Sequence, residues 1–206
     1  METDMKKGFT LVEMLVVIGI IAILAGAAIG GFSAATKKAQ MARGRELVSN
    51  VATALSSIYQ KSGRWPEALV DANGADENRL GTSAGLVLAR KGAMSLSHKD
   101  NKLTGIDRFG VVDPWAQQTI RNNQNAGAGT KVASGGTVRD HIVRFAIDVE
   151  GKGLVKATVC GKAITVRAQA IAWSCGPDGK FDSLDRMGRS DDIFSFREGQ
   201  VVGGVK

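Results

Sequence analysis

The chain's 206 residues, 44% apolar and 23% charged with a net charge of +7, suit one domain with an appendage or two small domains. Two cysteines and two histidines exclude a disulfide-rich scaffold and a zinc-ribbon site, since no CxxC occurs and His98 and His141 are far apart. The basic residues are scattered, densest at Lys37, Lys38, Arg43 and Arg45, and aromatics are few, so no base-reading surface is indicated.

Residues 9–35 form an apolar run broken by one acid, Glu13. As a helix it would reach about 40 Å, enough to cross a bilayer with some tilt. Lys6 and Lys7 ahead of it favour a cytoplasmic start, whereas the four basic residues from Lys37 to Arg45 weaken that orientation. A secretory signal peptide fits the same composition, with Ala25-Gly26-Ala27 as its cleavage site, and Glu13 stands against it. An ionisable group in hydrocarbon costs roughly 2 to 3 kcal/mol or more, so it marks function and needs a partner.

The string KKGFTLVEMLVVIGIIAIL, Lys6 to Leu24, resembles the N-terminal signal of type IV pilins and of the major (G-type) pseudopilins of type II secretion systems. In that family a basic leader ends in Gly, Phe follows, and Glu lies at the fifth mature position. The resemblance implies that a prepilin peptidase cuts between Gly8 and Phe9 and N-methylates Phe9. It also implies a single-pass protein of the inner membrane with a periplasmic head. Such a subunit forms a homopolymer, built by an inner-membrane assembly platform and its ATPase together with minor pseudopilins. Cutting creates a cationic amine at the depth of Glu13. Glu13 of one subunit can then pair with the Phe9 amine of a neighbour, so that assembly offsets the burial penalty. The expected segments are a leader (1–8), a transmembrane and assembly helix (9–35), its amphipathic continuation (36–62) and a globular head (63–206).

Met41, Val48, Val51, Leu55 and Ile58 recur at helical spacing, and Ser62-Gly63 is a plausible stop. Gly19, Gly26, Gly30, Gly31 and Gly44 lower helix propensity while permitting close helix packing. Residues 59–71 turn the chain off this helix through Gly63 and Pro66, 71–78 read as loop, and Leu80 to Met94 reads as a short helix ending near Gly92. Asp113-Pro114-Trp115 resembles the DPWG turn of major pseudopilins, with Ala116 in place of the usual Gly, a residue that dislikes positive φ.

Residues 121–136 read as a flexible, glycine-rich surface loop. The period then changes to two over TVRDHIVRFAIDV, GLVKATV and KAITVRAQAIAW, which predicts three antiparallel strands laid across the helix. His141 and Arg167 are expected on the open face of that sheet. Cys160 and Cys175 could bridge outside the cytoplasm, but about 40 Å of extended strand between them favours two separate thiols.

Residues 174–196 carry Asp178, Asp182, Asp185, Asp191 and Asp192, an acidic patch in a basic chain. Such an oxygen-rich loop suits Ca²⁺, with a solvated acidic turn as the alternative, and its spacing is not that of an EF-hand. The string resembles the calcium loop of major pseudopilins, where GPDG after the last strand leads to DDI. That resemblance implies carboxylate ligands at Asp178, Asp191 and Asp192 and a backbone ligand at the Cys175 carbonyl. The whole reads as an α+β, pilin-like, non-enzymatic subunit, with a long helix packed on a small antiparallel sheet. Its expected work is to polymerise into a secretion pseudopilus. The alternatives are a type IV or competence pilus subunit and a secreted soluble domain with a conventional signal peptide.

Overall fold

The structure, a computed structural model, describes residues 9–74, 78–90, 106–182, 184, 187 and 190–203, without the side chains of 27–32, 89, 90, 106 and 107. Residues 1–8, the expected leader ending at Gly8, and Gly92, Met94 and Asp185 lie outside the described residues. The chain divides into two compact units, Met1–Ala39 and Gln40–Lys206, and helix α1 runs Leu11–Ser62.

In the first unit, large apolar side chains on every side of the helix are exposed, from Phe9 at 78% and Leu11 at 82% through Ile23 and Leu24. A helix apolar all round has no stable water-facing side; it needs lipid or other helices as its cover. Among the described residues no helix is long and apolar enough to cross a membrane. The run of described apolar side chains ends at Gly26, short of the about 20 residues a bilayer requires, and the sequence carries it on through Phe32.

In the second unit α1 buries Val48, Val51, Leu55 and Ile58 of the predicted stripe, with Ala54 beside them, and leaves Met41 partly buried. It stops where expected: Gly63 takes φ +66° and its N–H returns to the Tyr59 carbonyl at 2.8 Å. Among the described residues four short α-helices follow, α2 (Glu67–Ala72), α3 (Thr82–Arg90), α4 (Ile106–Phe109) and α5 (Pro114–Asn122). The anticipated helix from Leu80 is observed from Thr82; Leu80 pairs with neighbouring segments instead, donating its N–H to the Val143 carbonyl and giving its own carbonyl to the Val111 N–H rather than to a helical turn.

The strands are β1 (Arg144–Ile147), β2 (Leu154–Val159), β3 (Lys162–Arg167), β4 (Ala170–Ser174), β5 (Ile193–Phe194) and β6 (Val201–Gly203). They form two antiparallel sheets, β1-β4-β5 and β2-β3-β6, rather than one. The predicted third strand is two, parted at Ala168-Gln169 and assigned to different sheets. Arg144 pairs with Trp173 and Ile147 with Ala170, whereas Leu154 pairs with Arg167 and Val159 with Lys162. Cys160 and Gly161 join β2 to β3 with φ of 50° and 75°, the two positive values of a type I′ hairpin turn.

The β4 burial pattern explains the layering. Ala170 and Ala172 face the core built on α1, while Ile171 and Trp173 face a second core with Val155, Val159, Ile164 and Val166 of the hairpin. All five β4 residues are buried, so the strand reads as a continuous apolar run. Helices, first sheet and second sheet make three layers of an α+β fold.

Residues 121–136 are not a loose loop. Ala126 and Val132 are buried, and the Arg108 guanidinium donates to the Gln124 and Ala126 carbonyls at 2.5 Å each. The Ala116 departure is absorbed as well: Ala116 lies inside α5 and donates its N–H to the capping Asp113 carboxylate at 3.2 Å.

Candidate functional site

Thr10 caps α1, and its relation to Glu13 is reciprocal. The Thr10 main-chain N–H and hydroxyl both donate to Glu13 Oε2 at 2.8 Å, and the Glu13 N–H donates back to Thr10 Oγ1 at 3.2 Å. This is a capping box, two helix-end donors satisfied by one pair of side chains. The sequence reading missed Thr10 as a partner, although a Thr followed three residues later by Glu carries that signature. Phe9, the expected new N-terminus, is exposed beside it.

The acidic loop is drawn together by a turn that only glycine permits. Gly176 has φ +66°, and a Cβ there would lie 2.2 Å from the Asp191 carbonyl oxygen. Cys175 and Asp178 are thereby held against the Asp191–Asp192 segment. Asp178 accepts the Lys180 N–H at 2.9 Å. Asp192 is 8% exposed and accepts the Asp182 N–H on Oδ2 at 2.8 Å, while its Oδ1 is buried without a hydrogen-bond partner. Burial, with the charges of Asp182, Asp191 and Asp178 behind it, pushes the Asp192 carboxyl up to about 6. Asp191 is raised too, by burial and then by Asp178. Asp182 thus joins the cluster, an acid not among the expected ligands.

These carboxylates share a field without converging on one short radius. Among the described residues, the metal-ligating side chains whose donor atoms all lie within 4.8 Å are Asp113, His141 and Cys175. His141 is not on an open sheet face; it precedes β1 and is fully buried. Its Nδ1 lies 2.8 Å from Asp113 Oδ2 and its Nε2 2.9 Å from the Gly135 carbonyl. Both neighbours only accept, so both ring nitrogens donate and the ring is an imidazolium paired with a carboxylate. Burial opposes that charge, yet the Asp113 hydrogen bond and charge raise the His141 pKa above its ordinary value. Ser174 Oγ also donates to Asp113 Oδ2 at 2.9 Å, and Cys175 Sγ donates to the Asp140 carbonyl at 3.0 Å.

Ser, His, Asp and Cys therefore meet without forming a nucleophilic site. Ser174 bonds to the aspartate rather than to the imidazole, Cys175 has its pKa raised mainly by burial, and all four are sealed from solvent. The set is a structural cross-link between the start of α5, the 135–141 turn and the end of β4. Both thiols are free, with Cys160 half-buried at the hairpin turn and pushed up to about 12 by burial and by Asp192.

Residues 4–29 match the family model of the prokaryotic N-terminal methylation motif. The type IV major pilin protein PilE1 of Neisseria gonorrhoeae is 36% identical over 63 residues, which cover 31% of this chain and 38% of that protein. A fimbrial protein of Neisseria meningitidis serogroup B is 36% identical over 62 residues, 30% of this chain and 36% of its own. The fimbrial protein EcpC of Eikenella corrodens is 36% identical over 63 residues, 31% of this chain and 41% of its own. The chain thus spans less than half the length of these relatives, and no solved structure matches it. The chain carries the N-terminal methylation motif and is similar to type IV pilins over its N-terminal third, ahead of an α+β head.

Proposed function

We propose that this chain is a structural subunit of a type II secretion pseudopilus. It is cut by a prepilin peptidase between Gly8 and Phe9, held in the inner membrane by its apolar helix with the head in the periplasm, and polymerised to push proteins through the outer membrane. The observation that carries the reading is the lone acid Glu13 at the start of an apolar helix, four residues beyond the expected new amine of Phe9. An acid in lipid needs a counter-charge, and a neighbouring copy's N-terminus supplies one. The partners follow from that role: other copies of the chain, the peptidase, the assembly platform with its ATPase, and minor pseudopilins. N-terminal sequencing of the mature membrane protein tests it. A methylated Phe9 is expected; a start near Ala28 would overturn the reading in favour of a secreted domain.

A second reading, a subunit of a type IV pilus, is favoured by the pilin and fimbrial names of the relatives. The two separate by the effect of deleting the gene: loss of exoprotein release with no surface filament on the parent supports the first, and loss of an extended surface filament supports the second.

We further propose that the acidic loop holds Ca²⁺ through the Asp178, Asp191 and Asp192 carboxylates and the Cys175 carbonyl. The orphaned Asp192 Oδ1 and the raised pKa values of Asp191 and Asp192 support a cation there, and oxygen donors in a loop suit calcium. The bound ion would neutralise the cluster and tie residues 175–178 to 191–192. A calcium-dependent rise in melting temperature, lost in Asp191→Ala, is expected; no rise in the parent would remove the ion from the account.

A further inference from the structure

Asp113 at the start of α5, His141 ahead of β1 and Cys175 just after β4 each bring one donor atom within 4.8 Å of the other two. They are 0%, 0% and 1% exposed. A carboxylate oxygen, an imidazole nitrogen and a thiol are the donor set of zinc, whereas calcium takes oxygen alone. The bonds around them match the supporting shell of a metal site. With His141 Nδ1 as the ligating nitrogen, Nε2 keeps its N–H on the Gly135 carbonyl at 2.9 Å, which fixes the ring. The Asp113 carboxylate is steadied by the Ala116 N–H on Oδ1 and the Ser174 hydroxyl on Oδ2. The thiol is surplus to this network: Asp113 is satisfied without it, and Cys175 donates only to the Asp140 carbonyl at 3.0 Å.

We propose that Asp113, His141 and Cys175 bind a zinc ion at a site separate from the acidic loop. Loading exchanges one Zn²⁺ for two protons, the one on His141 Nδ1 that Asp113 shares and the one on the Cys175 thiol. Bonds form from the ion to the carboxylate, to Nδ1 and to the thiolate. The buried cluster is neutral on both sides of the exchange. Imidazolium, carboxylate and thiol sum to zero, and so do Zn²⁺, carboxylate, thiolate and neutral imidazole, so burial sets no charge penalty against the ion. The donors of a tetrahedral zinc stand about 3.3 to 3.6 Å apart, so side-chain adjustments of about 1 Å seat it. Three protein donors leave a fourth position, and Ser174 Oγ, 2.9 Å from Asp113 Oδ2, is a hydroxyl oxygen in the same cluster. Since all three ligands are sealed from solvent, the ion enters as the head folds and ties together segments that are distant in sequence. Cys175 offers zinc its thiol, and its carbonyl remains for the loop.

Metal content and X-ray absorption at the zinc edge test this on the full processed chain, isolated in detergent micelles with excess calcium from cells grown with added zinc. About one zinc per chain is expected, with one sulfur and one imidazole nitrogen in its shell. The chain from cells grown with cobalt is expected to show a thiolate-to-metal charge-transfer band. Cys175→Ser, whose hydroxyl can still donate to the Asp140 carbonyl, is expected to lose that band and to retain at least about tenfold less zinc, with the far-ultraviolet dichroism of the parent. Cys160→Ser and Asp191→Ala are expected to keep both, which separates this site from the other thiol and from the calcium loop. A parent chain without zinc, a shell of oxygen alone, or a band that is lost with Cys160 and kept without Cys175 would each overturn the proposal. Should Cys175→Ser fail to fold, the zinc-edge spectrum of the parent decides by itself.

Discussion

Thr10 donates twice to the same carboxylate oxygen of Glu13, from its main chain and from its hydroxyl, at 2.8 Å each. Glu13 therefore has a partner within its own chain. A carboxylate with two donors is less costly to hold in an apolar setting than a bare one, and it still lacks a counter-charge. On the assembly proposed above, the capping box would serve the waiting subunit and the neighbour's amine the assembled one. Glu13→Gln is expected to be cut normally at Phe9 and to fail to polymerise, measured as processed protein that never enters the sheared filament fraction. Wild-type filament yield from Glu13→Gln would break the link between the acid and assembly.

Thr10→Ala keeps the main-chain donor and removes the hydroxyl, which serves Glu13 both as donor and as acceptor. Loss of an N-cap side chain costs about 1 kcal/mol, so filament yield is expected to fall several-fold rather than vanish. Thr10→Ser, which restores the hydroxyl, is expected to recover it. An equal loss in Thr10→Ser and Thr10→Ala would mean that the methyl group, not the hydroxyl, matters here.

The buried His141 and Asp113 pair predicts a pH dependence of head stability. The His141 pKa is raised in the folded chain, so its contribution is fully present below the unfolded value of about 6.5. It is lost as pH rises through the folded pKa. Breaking such a pair leaves a buried charge alone and costs about 3 kcal/mol or more. His141→Ala is expected to lower the melting temperature by several degrees at pH 6 and by less at pH 8.5. A loss of the same size at both values would show that the ring only fills space.

How far the sequence foretells this architecture depends on how local each signal is. The end of α1 is local: an apolar stripe to Ile58, then Gly63 with a positive φ. The break between β3 and β4 is not, since Val166, Ala168, Ala170 and Ile171 continue one apolar run. Only tertiary packing sends its two halves to different sheets. His141 was placed on an open face because a polar residue in a period-two pattern normally points to water. Its real environment depends on Asp113, 28 positions earlier, and on the Gly135 carbonyl, neither visible in local pattern. Asp178, Asp191 and Asp192 came from resemblance to a known loop. Asp182 escaped because its main-chain N–H, not its side chain, binds Asp192.

Asp192 gives a second pH window with the same sign. Its folded pKa of about 6 lies above the ordinary carboxylate value of 3.8. The stability tied to its proton is present below that ordinary value and lost as pH climbs through about 6. Asp192→Asn keeps an oxygen to accept the Asp182 N–H and removes the charge. At pH 7 without calcium it is expected to stabilise the head by about 1 to 2 kcal/mol, a few degrees of melting temperature. At pH 4 the advantage should shrink. In excess calcium the order should reverse, the parent melting above the variant; a variant that melts below the parent without calcium would contradict the charge-crowding account.

Gly44 marks a close approach of α1 to the rest of the head. A Cβ there would lie 2.6 Å from Ile193 Cδ1 and 3.2 to 3.3 Å from the Trp115 ring. The Ile193 contact is with the end of a flexible side chain that can rotate, and Ala gains about 1 kcal/mol of helix propensity over Gly. Gly44→Ala is therefore expected to change stability by less than about 1 kcal/mol, whereas Gly44→Leu, which must displace the Trp115 ring, should cost about 3 kcal/mol. Ile193→Ala alone leaves a cavity and should cost about 2 kcal/mol or more. Combined with Gly44→Ala, it should cost measurably less than the sum of the two changes, because the new methyl enters the space that Ile193 vacates. Strict additivity in denaturant melts of the four proteins would show that the helix shifts away rather than packing closer.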